Sequence, residues 1–195
     1  MSAILCALRP ALSLFVLLSV LTGLVYPLSV TLLAQTLFPA QAAGSLIRDG
    51  DRVIGSALVG QPFSAHAHFW SRPSATAMQP YNGLASGGSN FGANNPALLD
   101  AVAQRIAALR NADPDNRTAI PVDLVTASAS GLDPDISLAA AHYQAARVAR
   151  ASGLARATVD ALIDRHAQHP WLGVIGEPRV NVLALNRAID LASRH

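Results

Sequence analysis

Apolar positions are distributed unevenly along this chain. From Ala11 to Phe38, ALSLFVLLSVLTGLVYPLSVTLLAQTLF, no charged residue occurs in 28 consecutive positions. A helix needs about 20 apolar residues to cross the hydrocarbon core of a bilayer. The pattern therefore predicts a transmembrane helix over residues 11–34, a short tail over 1–10 and a linker over 35–44. Pro27 lies inside the run and would kink the helix or mark where it leaves the lipid. Tyr26 suits an interface anchor. The rival reading is a cleaved signal peptide, because Ala40-Gln41-Ala42 resembles a cleavage site. A signal's apolar region spans only about 7–15 residues, roughly half of this run.

Beyond the linker the pattern becomes that of a folded domain, over residues 45–195. Asp49-Gly50 between Leu46-Ile47 and Val53-Ile54 is a hairpin signal. The aromatic- and Pro-rich QPFSAHAHFWSRPSATAMQPYNG follows, and ten of the fifteen residues from Tyr81 to Asn95 are Gly, Asn or Ser. That composition predicts a long irregular loop, and such loops in compact domains are usually functional or disordered. A helix then opens with Asn95 as N-cap and Pro96 as its first residue, with Leu98, Leu99, Val102, Ile106 and Leu109 on one face. Val122 to Thr126 reads as a buried strand. Ser137 caps an Ala-rich helix to about Ala151, closed by Gly153. A further helix covers Arg156 to Ala167 with Val159, Leu162 and Ile163 inward, Val180 to Leu183 a short strand, and Leu185 to Ala192 a terminal helix. The predicted class is α+β, with α/β as the variant: one membrane helix, then a single domain with a small sheet and three to four helices.

Composition sharpens this picture at two points. Only 13% of residues are charged, against 51% hydrophobic and a mean hydropathy of +0.33, whereas soluble domains carry about 25% charged residues. All 14 basic residues are arginine. Without lysine the chain has no P-loop lysine, no Schiff-base lysine and no protein-kinase site. No run of basic residues marks a nucleic-acid surface, so no nucleic-acid partner is expected. Cys6 is the single cysteine, so the domain holds no disulfide.

Several side chains merit a chemical reading beside a plain one. Ser86, Gly87, Gly88, Ser89 and Asn90 could present backbone N–H groups to an anion, but Gly and Asn are also the ordinary residues of tight turns. His66 and His68 would share one face of a strand and could hold a metal, but no third ligand stands nearby. His166 and His169 rate the same, and no metal is expected. Gly87-Gly88-Ser89-Asn90-Phe91 misses the G-x-S-x-G elbow, since Gly92 comes one place late. A membrane-tethered hydrolase using Ser89 or Ser128 with a histidine is the alternative function. Phe69, Trp70, Arg72, Tyr81 and Asn82 are partner-contact candidates, because aromatics and Arg are enriched at interfaces. The aromatics serve equally well as plugs for the loop.

Five features occur in a specific order: one N-terminal apolar helix, FWSRPSA (Phe69 to Ala75), YNGLASGGSNFGANNP (Tyr81 to Pro96), PVDLVTASASGLDPDIS (Pro121 to Ser137) and GEPRVNVLALN (Gly176 to Asn186). The chain resembles the C subunits of bacterial Kdp potassium-transporting ATPases over nearly its whole length. It departs at Ala129, Asp135 and Phe91, where the family pattern has Gly, His and Leu. The resemblance implies a non-catalytic accessory subunit of a high-affinity ATP-driven K⁺ import complex. Its partners would be a channel-like K⁺-binding subunit and a P-type catalytic subunit in the bacterial inner membrane. It implies the N-terminus in the cytoplasm and a periplasmic domain. It also carries a proposed catalytic-chaperone role, in which Ser86–Asn90, likened to the Ser-Gly-Gly run of ABC transporters, raises the catalytic subunit's affinity for ATP. No cofactor is expected on the chain itself, with ATP possible through the complex. With the domain outside, about 30 Å of hydrocarbon would separate the loop from cytoplasmic nucleotide, so any effect on ATP affinity would be allosteric.

Overall fold

The computed structural model describes residues 2–170 and 173–194. The chain divides into an N-terminal unit, residues 1–46, and a second unit, residues 47–195.

The N-terminal unit is one helical run with a local expansion. Helix α1 (Ser2–Val20) passes into a π-helical turn (Leu21–Val25) and then into α2 (Tyr26–Leu37). The Tyr26 N–H reaches back five residues to the Leu21 carbonyl. The wider turn falls immediately before Pro27, which lacks an N–H and crowds the carbonyl four residues earlier. Pro27 is thus absorbed by the π turn, and the helix continues past it. Cys6–Leu37 is long and apolar enough to cross a membrane, with none of its most apolar window buried in the chain. Thr22 and Thr36 donate their hydroxyls to the Leu18 and Leu32 carbonyls (2.7 and 2.9 Å), which satisfies those hydroxyls internally in an apolar setting. A short α3 (Pro39–Ala42) follows.

The second unit begins within a hairpin, β1 (Leu46–Asp49) and β2 (Arg52–Ser56), which turns at Gly50-Asp51. A long irregular stretch leads to α4 (Pro96–Ala112), where the Asn95 side chain caps the Ala97 N–H at 2.9 Å. Leu109 is buried and Leu98, Val102 and Ile106 are half-buried, but Leu99 is exposed, which narrows the expected apolar face. The strand expected over Val122–Thr126 is instead a 3₁₀ turn (Val122–Leu124). Pro121 precedes it, and the Val125 and Thr126 N–H groups bond back to the Val122 carbonyl, so the backbone closes locally rather than pairing with a neighbour.

The sheet forms elsewhere. Strand β3 (Asp135–Ser137) and the two-residue β4 (Ala167–Gln168) flank β5 (Arg179–Asn181), both antiparallel to it, with Ile136 and Ala167 opposite Val180. Helix α5 (Leu138–Ser152) starts at the predicted Ser137 cap and ends at Gly153, whose φ of 72° is the left-handed conformation that glycine favours. Helix α6 (Arg156–His166) buries Val159 and Ile163 fully and Leu162 partly. The chain closes with α7 (Val182–Ala192), capped by Asn181 and begun three residues earlier than the apolar pattern suggests. The core gathers Phe69, Ile136, Val148, Val159, Ile163, Val180, Leu185 and Ile189, all at most 1% exposed. This is an α+β domain behind a single N-terminal apolar helix.

Candidate functional site

The irregular stretch from Gly60 to Asn95 is tied down by side chains rather than by a sheet. Its first anchor is a polar cluster on α5 and α7. Asn186 accepts from the Phe69 N–H (2.7 Å) and donates to the Phe69 carbonyl (3.0 Å). Gln144 does the same for Trp70, at 2.8 and 3.1 Å. An amide side chain thus replaces a neighbouring strand, satisfying both backbone groups of a buried residue. Arg147, only 4% exposed, donates to the carbonyls of His66 (2.6 Å) and His68 (3.1 Å) and lies 4.7 Å from the Trp70 ring centre. Burial lowers its pKa to about 10, and nearby Asp113 opposes that shift, so it remains a cation at neutral pH.

Beyond Trp70, the chain turns on hydroxyls. The Ser74 hydroxyl donates to the Gly131 carbonyl (2.7 Å) and accepts from the Tyr81 N–H (2.9 Å). Thr76 donates to the Gln79 carbonyl and accepts from the Asn82 N–H. The Tyr81 hydroxyl donates to the Arg72 carbonyl, and burial raises its pKa. Arg72 pairs with Asp133 at 2.8 Å. Met78, Tyr81 and Asn90 adopt positive φ (70°, 58° and 53°), a conformation that non-glycine residues hold only when their surroundings fix it. The outcome is an ordered turn that points Met78 and Leu84 into solvent, 99% and 100% exposed.

The Ser-Gly-Gly run lies against the 128–131 segment. The Gly87 N–H bonds to the Ser130 carbonyl (2.9 Å), and the Ser86 hydroxyl donates to that same oxygen (3.0 Å). A Cβ at Gly88 would stand 3.0 Å from the Ala129 carbonyl oxygen, and one at Gly131 would stand 2.7 Å from the Gly87 carbonyl oxygen. Two backbones therefore meet at a distance that favours glycine on both sides. This contact accounts for Gly88 and Gly131 without a phosphate, while a Cβ at Gly87 would meet nothing within 4 Å, and it occupies one of the amides that an anion would use.

The remaining candidates separate. Phe69 is fully buried and serves the core, so it cannot reach a partner. Trp70, Arg72, Tyr81 and Asn82 are half-buried and act within the loop. Among the described residues, no histidine is hydrogen-bonded to Ser89 or Ser128. His68 faces Asp190 (2.8 Å), His142 faces Asp160 (3.3 Å), and His166 bonds within α6. No group of three or more His, Cys, Asp or Glu suited to a metal occurs among the described residues. The sequence reading missed the supports Gln144, Arg147 and Asn186. Their signal was present, as polar residues on the otherwise apolar inner faces of two helices.

Comparison with known proteins places this architecture. A family model described as KdpC, K⁺-transporting ATPase, c chain, matches residues 8–191. The potassium-transporting ATPase KdpC subunit of Variovorax paradoxus (strain S110) is 67% identical over 185 residues, 95% of this chain and 96% of the relative. That of Methylibium petroleiphilum is 67% identical over 184 residues, covering 94% and 96%. That of Polaromonas naphthalenivorans (strain CJ2) is 63% identical over 183 residues, covering 94% and 93%. With the match running from inside the apolar helix to the last turn of α7, the chain belongs to the KdpC family, the c chain of K⁺-transporting ATPases.

Proposed function

We propose that the chain is a non-catalytic subunit of an ATP-driven K⁺ import complex in the bacterial inner membrane. It promotes assembly and modulates the complex through a periplasmic domain tethered by the 11–34 helix, with its N-terminus in the cytoplasm. Its partners are a channel-like K⁺-binding subunit and a P-type catalytic subunit. The observation that carries the reading is the braced turn over 76–90. Fixed backbone with two fully exposed apolar side chains is what a preorganised contact requires, because little ordering entropy remains to be lost on docking. The absence of lysine supports the non-catalytic role. The packing of Gly88 against Ala129 supports reading the Ser-Gly-Gly run as a backbone crossing rather than a nucleotide cradle. An effect on ATP affinity then travels through the helix and partner subunits as a coupling free energy, typically about 1–3 kcal/mol.

The test replaces both Met78 and Leu84 by Asp and purifies the complex in mild detergent. The proposal expects an unchanged unfolding midpoint of the variant chain and loss of the two larger subunits from the preparation. Retention of both subunits at wild-type yield would contradict it.

A further inference from the structure

Met78 holds an uncommon position in the turn. Its φ is 70°, and the Gln79 N–H bonds back to the Ala77 carbonyl at 2.9 Å, which makes Met78 the middle residue of a three-residue γ-turn. At positive φ such a turn is rare and strained, and glycine would hold it at lower cost. The turn is nevertheless fixed on both sides. The Thr76 hydroxyl donates to the Gln79 carbonyl (2.6 Å), and the Asn82 side-chain amide donates to the Ala77 carbonyl (3.2 Å). The Met78 side chain therefore stands 99% exposed on a backbone that these bonds hold in place.

Exposure decides the chemistry open to this thioether. Methionine sulfur is oxidised to the sulfoxide by two-electron oxygen donors such as hydrogen peroxide. The sulfur lone pair takes one peroxide oxygen, the O–O bond breaks, and the other oxygen leaves as water with both protons. Sulfur loses two electrons and the peroxide gains them. The product is a polar, chiral side chain in place of an apolar one. At this exposure no neighbouring side chain shields the sulfur. Leu84, the other fully exposed apolar residue of the turn, has no such reaction. The chain's other sulfur atoms belong to Met1 and Cys6, so Met78 is the only sulfur-bearing residue of the second unit.

We infer that Met78 is an oxidation site, and that its sulfoxide weakens the contact proposed for the 76–90 turn. The second half rests on that reading of the turn. An apolar socket that accepts a thioether must strip water from a sulfoxide oxygen, which is costly where no donor meets it. Oxidation proceeds on the unassembled chain, and docking shields the sulfur. Methionine sulfoxide reductases restore the thioether, so the change is reversible and makes assembly sensitive to peroxide.

The test treats the full chain with hydrogen peroxide, in a Cys6→Ser background and mild detergent. Peptide mass mapping follows the gain of one oxygen at Met78. The expected rate is at least about a third of that in the chemically unfolded chain, because exposure leaves nothing to protect the sulfur. Treated and untreated chains are then titrated onto the two larger subunits, expressed without this chain and immobilised. The oxidised chain should need at least about tenfold more protein for half-maximal capture, and reductase treatment should restore the untreated value. Met78→Leu, which keeps an apolar side chain of similar volume, should be captured equally with and without peroxide. Slower oxidation at Met78, unchanged capture of the oxidised chain, or an equal loss in peroxide-treated Met78→Leu would overturn the inference and leave the docking reading standing. Failure of the untreated chain to be captured at all would overturn the docking reading, and the inference with it.

Discussion

The 135–192 half of the domain and the 60–95 stretch reach order by opposite means. The first uses regular elements: three helices whose alanines and branched residues close over a three-stranded sheet. The second contains no helix or strand. Its bends are set by Ser74, Thr76, Gln144, Arg147 and Asn186, each bonded to backbone. The first half is held by buried area and tolerates small shifts. The second is held by directed bonds, each tied to one atom. A segment without secondary structure can thus be as well determined as a helix. That suits the contact surface proposed above, which would present Met78 and Leu84 in one arrangement.

The comparison predicts unequal damage. Phe69 belongs to both regions, its ring in the core and its backbone on Asn186. Phe69→Ala should therefore be the most destabilising change, at about 3–5 kcal/mol from cavity formation, measured by chemical denaturation of the full chain in detergent. Gly131 and Gly153 offer a sharper contrast, with φ of 67° and 72°. A Cβ at Gly131 would lie 2.5 Å from the Thr76 methyl and 2.7 Å from the Gly87 carbonyl oxygen, while at Gly153 nothing lies within 4 Å. Gly153→Ala should cost only the left-handed strain, about 1–2 kcal/mol. Gly131→Ala adds a backbone clash and should cost clearly more in the same unfolding measurement. Equal costs would break the comparison.

Smaller effects follow at the surface. Arg72–Asp133 is a partly exposed pair, so Asp133→Asn should change stability by no more than about 1 kcal/mol. The smallest expected effect is a pH slope. Burial raises the Asp135 pKa, Arg179 at 2.9 Å opposes this, and Asp133 adds to it. A carboxyl raised in the folded state binds its proton more tightly there than in the unfolded chain. Its contribution to stability is full below the ordinary carboxylate pKa and is lost as pH rises through the raised value. Asp135→Asn should remove that loss, so the variant gains on the wild type as pH rises above the ordinary carboxylate range. Paired denaturation curves across the acid range would check it.

Local chemistry made part of this structure readable in the sequence. Asn95-Pro96, Ser137 and Gly153 announced helix ends that the structure keeps, because a cap depends on residues within one turn. The Val122–Thr126 misreading has the opposite cause. An apolar run of five does not distinguish a strand from a buried turn, and the sheet was decided by β5, more than forty residues away from β3. The irregular loop was legible as a loop, but its supports were not, since Gln144 and Asn186 act across 74 and 117 residues of sequence.

The proposed function requires the Ser-Gly-Gly loop to face the periplasm as a contact surface rather than to meet nucleotide. The most direct test places a single cysteine at the fully exposed Leu84, in a Cys6→Ser background, with the chain expressed without its partners. A membrane-impermeant maleimide is then added to intact and to permeabilised cells. Labelling in intact cells is the predicted result and leaves only an indirect route to ATP. Labelling that requires permeabilisation would put the loop in the cytoplasm and contradict the account.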